Sequence, residues 1–254
     1  MKIVFVFLCS LITGSVIGQS PKKQVNDQSQ SWFSVNSTFR LNEKWGVVGD
    51  LHIRRSNFMA DPNFYFVRAG AGYWFNKQLN FVAGYAHMWL ASAKKGERVF
   101  VNEDRLYGQL AYSTKLGKLA LLHRFRNEHR WKESVVGDDL PNKTGFSTRL
   151  RYLISLTYPV FKNPNLPQAC LANEVLVQFG KPIVNNTFDQ LRLFAGIRQT
   201  LGRGWSFDCG YMMLYQQRAS GYQYDRNHTF RLFFYYTLNP KPVAPAPAPE
   251  YEDE

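Results

Sequence analysis

Apolar and polar side chains alternate along most of this chain. The pattern is clearest between Leu106 and Arg130, where two alternating runs flank a short turn at Lys115–Lys118. Alternation with a period of two is typical of β-strands that present one apolar and one polar face. Each run has about ten residues or more, the length that a tilted strand needs to cross a lipid bilayer. The pattern therefore predicts two strands of a transmembrane sheet.

The same unit recurs from Ser31 to Leu238. Short turns such as Asn42–Lys44 alternate with longer polar loops such as Arg55–Asn63, an asymmetry typical of outer-membrane barrels. The predicted fold class is all-β: a single antiparallel transmembrane β-barrel of about 10–12 strands, with short periplasmic turns and longer external loops. Eleven runs are clear in the sequence. Because single-chain bacterial barrels have even strand numbers, twelve is favoured, with Lys22–Gln30 as a weak first strand, and ten is the alternative.

The two ends of the chain depart from this pattern. Residues 1–18 are predicted to be a cleaved signal peptide, with a basic Lys2, an apolar core and a small residue, Gly18, before the cleavage site. An N-terminal membrane anchor is the alternative. Residues 19–30 are predicted to be a flexible segment, and residues 31–239 the outer-membrane β-barrel. Pro240–Glu254 is predicted to be a disordered Pro-rich acidic tail, available to a periplasmic partner.

The chain is strongly basic, with a formal net charge of +12. Its basic residues recur at alternate strand positions and do not form a cluster, which favours an inner lumen over a nucleic-acid-binding face. A mean hydropathy of −0.33 is compatible with a barrel, because only alternate residues of a barrel strand face lipid. We therefore expect outer-membrane lipid, lipopolysaccharide and the barrel assembly machinery as partners, and no nucleic acid.

Charged residues on the polar strand faces are the candidate functional residues. We predict that they form a lumen charge network, whose members are Glu103, Arg105, Arg124, Arg126, Glu128, Arg149, Arg151, Glu174 and Arg192. Adjacent strands bring these side chains close together, and arginine–carboxylate pairs are planar and bidentate. One interpretation is a structural network that holds the barrel shape. The other is a narrow, anion-favouring pore, because arginines outnumber carboxylates.

The sequence predicts no enzyme. Its five histidines do not form HExxH or a comparable metal-binding spacing, and no local Ser/His signature is present, so no catalytic residue, metal or cofactor is assigned. Cys170 and Cys209 lie on strands separated by another strand and are predicted to be free thiols. Two alternative functions stay open: a barrel-embedded lipid-modifying enzyme, and a soluble lipocalin-like binding barrel.

The layout resembles a known group of proteins. The signal ending in Gly18-Gln19 is followed by Gln30-Ser-Trp-Phe, Glu103-Asp-Arg-Leu, His123-Arg-Phe-Arg-Asn-Glu and Arg149-Leu-Arg-Tyr. In this it is similar to an uncharacterised family of Bacteroidota outer-membrane proteins known only as a domain of unknown function. The resemblance covers about Ser29 to Leu238 and implies an outer-membrane β-barrel without catalytic residues. The Pro-rich acidic tail departs from it and leaves assembly and partner binding open.

Overall fold

The computed structural model describes residues 22–91, 100–134, 143–163 and 166–239. These residues form eleven strands: β1 (Gln24–Arg40), β2 (Trp45–Ser56), β3 (Asp61–Trp74), β4 (Leu79–Ala91), β5 (Phe100–Leu116), β6 (Leu119–Ser134), β7 (Lys143–Tyr158), β8 (Gln168–Phe179), β9 (Phe188–Gly202), β10 (Trp205–Gln217) and β11 (Gln223–Leu238). In these ranges no helix is long and apolar enough to cross a membrane. The predicted signal peptide and the predicted tail lie outside the described residues.

The strands close into one barrel. Each strand pairs antiparallel with its neighbours in the chain, and β1 pairs with β11 to complete the ring. A closed ring leaves no free strand edge, so every strand finds backbone partners on both sides. The prediction of an all-β barrel of about 10–12 strands is confirmed.

The favoured count of twelve strands is wrong, as is an entirely antiparallel sheet. With an odd number of consecutively antiparallel strands, the first and the last run in the same direction. β1 and β11 accordingly pair in parallel, with Gln24 opposite Gln223 and Phe39 opposite Leu238. Parallel ladders are slightly less stable per residue than antiparallel ones, but closure over the length of both strands removes two exposed edges.

Strand β1 explains the missing twelfth strand. The weak polar strand predicted at Lys22–Gln30 is the first part of β1, continuous with the alternating run from Ser31, and is neither a separate strand nor a flexible segment from Gln24 onward. Its polar side chains are satisfied by β11: Gln30 Nε2 donates to Asn227 Oδ1 at 2.6 Å. A polar sequence thus forms a strand here because its neighbour is polar too.

The odd strand number places Gln24 and Leu238 at opposite ends of the barrel. We call the end where β1 begins the loop end; its described connections are residues 57–60, 180–187 and 218–222. We call the end where β11 finishes the turn end; its fully described connections are residues 41–44, 75–78, 117–118 and 203–204. The connection at 57–60 is shorter than the predicted loop Arg55–Asn63 because β2 and β3 extend into it.

The outer face of the barrel is apolar and the inner face is polar. On β2, the outward Leu51 and Ile53 are 59 % and 48 % exposed, whereas the inward Asp50 is 6 % exposed. Glu103 and Glu128 are buried on the inner face at 2 % each. An exposed apolar surface of this extent needs a partner surface or lipid to cover it.

Paired cysteines test the parallel closure. In a Cys170→Ala/Cys209→Ala background, Ser37→Cys with Tyr236→Cys should form a disulfide on mild oxidation, because these positions face each other in the β1–β11 register. The mismatched pair Ser37→Cys with Phe230→Cys should stay reduced, since Phe230 is displaced by six residues, about 20 Å along the strand. Non-reducing electrophoresis of the folded protein reads the result; efficient cross-linking of the mismatched pair would contradict the register.

Candidate functional site: an arginine-rich lumen

The lumen contains a large cavity of about 1810 Å³ that reaches the loop end, where residues of the 180–187 connection line it. A smaller cavity of about 180 Å³ lies at the turn end. Five side chains border both cavities: Asn36, Arg68, Arg124, Arg126 and Tyr235. We call these five residues the lumen belt, because they line both cavities.

Ion pairs cover one wall of the lumen. We call this wall the arginine–glutamate lattice; its members are Glu103, Arg105, Arg124, Arg126, Glu128, Arg149, Arg151, Glu174 and Arg192, contributed by β5 to β9. The members lie on inward positions of adjacent strands, so that Glu128 is directly opposite Arg149 and Glu174 is directly opposite Arg192.

Glu128 is at the centre of the lattice. It accepts from Arg149 Nε at 2.7 Å and from Arg151 Nη1 at 2.8 Å. Arg126 Nη1 and Arg105 Nη1 lie 3.6 Å and 3.8 Å from its carboxylate oxygens. One buried carboxylate therefore faces four guanidinium groups, an arrangement that is stable only because each charge has a partner of opposite sign.

Glu174 continues the lattice on the next strands. Its carboxylate accepts from Arg151 Nη2 at 2.7 Å, Arg124 Nη2 at 2.8 Å and Arg192 Nη1 at 3.0 Å. Arg151 donates to both Glu128 and Glu174, so it joins the two centres. Glu103 is the third carboxylate and accepts from Arg105 Nε at 2.7 Å.

The lattice has further partners that the sequence did not identify. Asp189 lies 3.1 Å from Arg149, and Asp208 accepts from Arg198 at 2.6 Å and lies 3.2 Å from Arg231. Neutral amides also contribute, since Arg126 Nε donates to Gln109 Oε1 at 2.9 Å. Asp189 and Asp208 begin or end alternating runs, where the phase of the pattern is hardest to assign.

Arginine is in excess over carboxylate around the large cavity. Twelve arginines and two lysines line it in the described part of the chain, against six carboxylates: Glu103, Glu133, Glu174, Asp189, Asp208 and Asp225. A lumen with such a surplus of fixed positive charge attracts anions and disfavours cations.

The opposite wall of the lumen carries aromatic side chains. We call Trp32, His52, Phe64, Phe66, Phe194 and Phe233 the aromatic wall; all of them line the large cavity. The guanidinium of Arg54 lies between two of these rings, 3.3 Å from the centroid of Trp32 and 4.4 Å from that of Phe64. Alternation in the sequence did not single out this wall, although Trp32 is in phase with Ser34 and Asn36, and Phe64 and Phe66 are in phase with Arg68.

Four histidines lie on the outer face and one in the lumen. Among the outer histidines, His87 belongs to a small hydrogen-bonded cluster. Its Nδ1 lies 2.7 Å from Asp104 Oδ1, and Tyr85 donates to the same carboxylate oxygen. A carboxylate–histidine pair is a component of many hydrolases. In the described residues, however, no serine, threonine or cysteine side chain hydrogen-bonds His87, and no group of acidic, histidine or cysteine side chains is arranged to hold a metal ion.

The two cysteines lie on opposite faces. Cys170 lines the lumen and is buried, whereas Cys209 is half-buried and in phase with the outward Tyr211; both are free thiols. The prediction of free thiols is confirmed for these two residues.

Fold and lumen together define a closed eleven-stranded barrel with an arginine-rich interior. The family model for a protein of unknown function (DUF2490) matches residues 29–227, and the chain belongs to this family. The predicted membership of an uncharacterised barrel family is confirmed to that extent, while its Bacteroidota origin stays a prediction. No curated protein and no solved structure shows significant similarity to the chain.

Removal of one lattice carboxylate should destabilise the barrel. Glu128→Gln removes the negative charge that several buried guanidinium groups share. Loss of one partner of a buried ion pair lowers the free energy of unfolding by about 3–5 kcal/mol. The measurement is denaturant-induced unfolding of the refolded protein in detergent. Glu43→Gln is the matched control, since Glu43 is exposed in the 41–44 turn, and it should unfold like wild type. Equal stability of both variants would show that the lattice does not brace the barrel.

Proposed function

We propose that this protein is an exported outer-membrane β-barrel whose narrow, arginine-rich lumen favours anions and whose lattice braces the wall. The proposed role involves no catalysis. The observation that carries it is the surplus of arginine over carboxylate around a cavity that spans most of the lumen. The signal-like residues 1–18 support export.

The outer face supports a membrane location. Large apolar side chains cover it, and aromatic pairs flank it near both ends: Trp45 with Tyr73 and Trp205 with Tyr236 at the turn end, and Trp131 with Phe146 at the loop end. Aromatic girdles at the two interfaces are typical of transmembrane barrels. Outer-membrane lipid and lipopolysaccharide are the proposed surroundings of this face.

The connections support one orientation. Outer-membrane barrels have short periplasmic turns and longer external loops, so we place the turn end in the periplasm. Leu238, the last residue of β11, then leads residues 240–254 into the periplasm, where the acidic end is available to a partner. The first residues of β1 then lie on the external side. Insertion by the barrel assembly machinery completes the proposal.

The lumen belt accounts for a narrow passage. Arg124 and Arg126 on β6 and Arg68 on β3 extend between the two cavities, and Arg68 pairs with Asp50. Any solute that crosses the barrel must pass these guanidinium groups. The passage therefore selects for small size and negative charge.

A charge on the outer face tests the membrane location. Leu51→Arg should impair insertion, because an arginine that faces lipid near the bilayer midplane costs about 2–4 kcal/mol. Phe58→Arg is the matched control: Phe58 is 55 % exposed but lies in the connection between β2 and β3. The readout is the amount of folded protein in purified outer membranes. Equal amounts for both variants and wild type would overturn the proposed location.

Conductance tests the lumen. In a planar bilayer under a steep KCl gradient, the refolded protein should give small current steps. Their reversal potential should be closer to the equilibrium potential of chloride than to that of potassium. The double variant Arg124→Gln/Arg126→Gln should lose much of this preference, and Lys77→Gln, a change in the 75–78 turn, should keep it. A cation-selective current, or no current from an inserted and folded barrel, would overturn the proposed passage.

A further inference from the structure

Arg54 differs from the other arginines of the lumen. Among the described residues, no carboxylate lies within ion-pair distance of Arg54. Its Nε also lacks a hydrogen-bond partner, a feature that it shares with Arg68, Arg124 and Arg231. Lattice arginines such as Arg149 and Arg151 are each held by two carboxylates. The stacking of Arg54 between Trp32 and Phe64 fixes the plane of the guanidinium without neutralising its charge. A partly buried cation without a counter-ion is costly, so this position favours an added anion.

His52 is a second unsatisfied group in the same place. It is 9 % exposed and lines the large cavity, and neither ring nitrogen has a hydrogen-bond partner within the described residues. Its ring lies edge-on to Phe66, with centroids 4.9 Å apart, and to Phe233 at 5.8 Å. Buried polar atoms are nearly always paired in folded proteins. An imidazole and a guanidinium without a counter-group in the described chain thus lie two residues apart on the same inward face.

The surroundings of Arg54 are apolar. Trp32 packs with Phe194, Met212 and Leu214 in one buried cluster, and Phe66 packs with Met88 in another. All of these side chains line the large cavity. A small, strongly hydrated anion would lose its water against this surface with little compensation, whereas the aromatic and aliphatic body of a larger ligand would gain from burial.

We propose that the large cavity binds an amphiphilic anion, with an acidic head group on Arg54 and an apolar body along the aromatic wall. His52 lies two residues from Arg54 on the same inward face and borders the same cavity. A cavity of about 1810 Å³ is larger than a typical small-molecule pocket of roughly 300–1,000 Å³, and its reach to the loop end gives an entry route. The inference deepens the proposed function, since it names a ligand class for the same lumen.

The arginine–glutamate lattice, which faces the aromatic wall, gives the site its selectivity for charge. Lattice guanidinium groups already face glutamates, so they add a positive field without offering an open partner. Arg192 extends this field towards the aromatic wall, with its guanidinium 5.2 Å from the centroid of Trp32. A neutral ligand of the same shape gains the apolar contacts but not the charge-assisted contact with Arg54, and inorganic sulfate gains the charge without the contacts.

Calorimetry with defined probes tests this inference. The protein is used folded in lipid nanodiscs, with empty nanodiscs as the blank for partitioning into lipid. Naphthalene-2-sulfonate should bind about tenfold or more tightly than 2-naphthalenemethanol or inorganic sulfate, because only this probe combines an apolar body with a charge-assisted contact. Equal heats for the sulfonate and the neutral probe, or for protein-containing and empty nanodiscs, would overturn the inference.

Neighbouring arginines provide matched variants. Arg54→Gln should weaken the sulfonate probe by about tenfold or more and leave the neutral probe unchanged, whereas Arg54→Lys keeps the charge and should retain part of the preference. Arg55→Gln is the control, because Arg55 donates to backbone oxygens of the 57–60 connection. Circular dichroism verifies that each variant is folded. An equal response of Arg54→Gln and Arg55→Gln would place the anion elsewhere and overturn the assignment.

The binding experiments test the ligand site separately from the conductance experiment. A folded barrel that binds the sulfonate probe through Arg54 but carries no current supports the ligand site and overturns the passage. A barrel that conducts anions and does not distinguish the probes overturns the ligand site alone.

Discussion

The parallel ladder between β1 and β11 is the constraint on which the rest of the molecule depends. It converts a long alternating sheet into a closed surface, and only a closed surface has an inside. Because the ladder begins at Gln24, it recruits a polar stretch whose side chains then pair with those of β11. Because eleven strands close through a parallel pair, the start of β1 and the end of β11 lie at opposite ends of the barrel.

Closure brings many arginines together in the lumen, and the glutamates of the lattice compensate their positive charge. The inward faces of β6 and β7 alone contribute Arg126, Arg149 and Arg151, whose like charges repel one another at close range. Glu128 and Glu174 lie between them and bond to several guanidinium groups each. Such pairs are weak as net stabilisation but strongly oppose the loss of one member, which is the physical basis of the proposed brace between neighbouring strands.

The two walls of the lumen differ in whether their polar groups have partners within the protein. Each member of the lattice wall has an ion-pair partner, while the aromatic wall holds a guanidinium without a carboxylate partner and an imidazole without hydrogen bonds in the described structure. Exposure of apolar clusters to water inside the lumen is unfavourable, and an apolar ligand that covers them gains free energy. This asymmetry supports a lumen that is both a braced structural element and a site for a ligand with two chemically different ends.

Alternation is a local property, and the sequence by itself determined its direct consequences: strands, their two faces, and the identity of charged residues such as Glu128 and Arg149 on the inner one. Tertiary structure decided everything that depends on which strand meets which. The merging of two predicted segments into β1, the parallel closure and the isolation of Arg54 between Trp32 and Phe64 all depend on register between strands far apart in the chain. Side-chain parity carries no information about such partners, because it is the same for any register that differs by two residues.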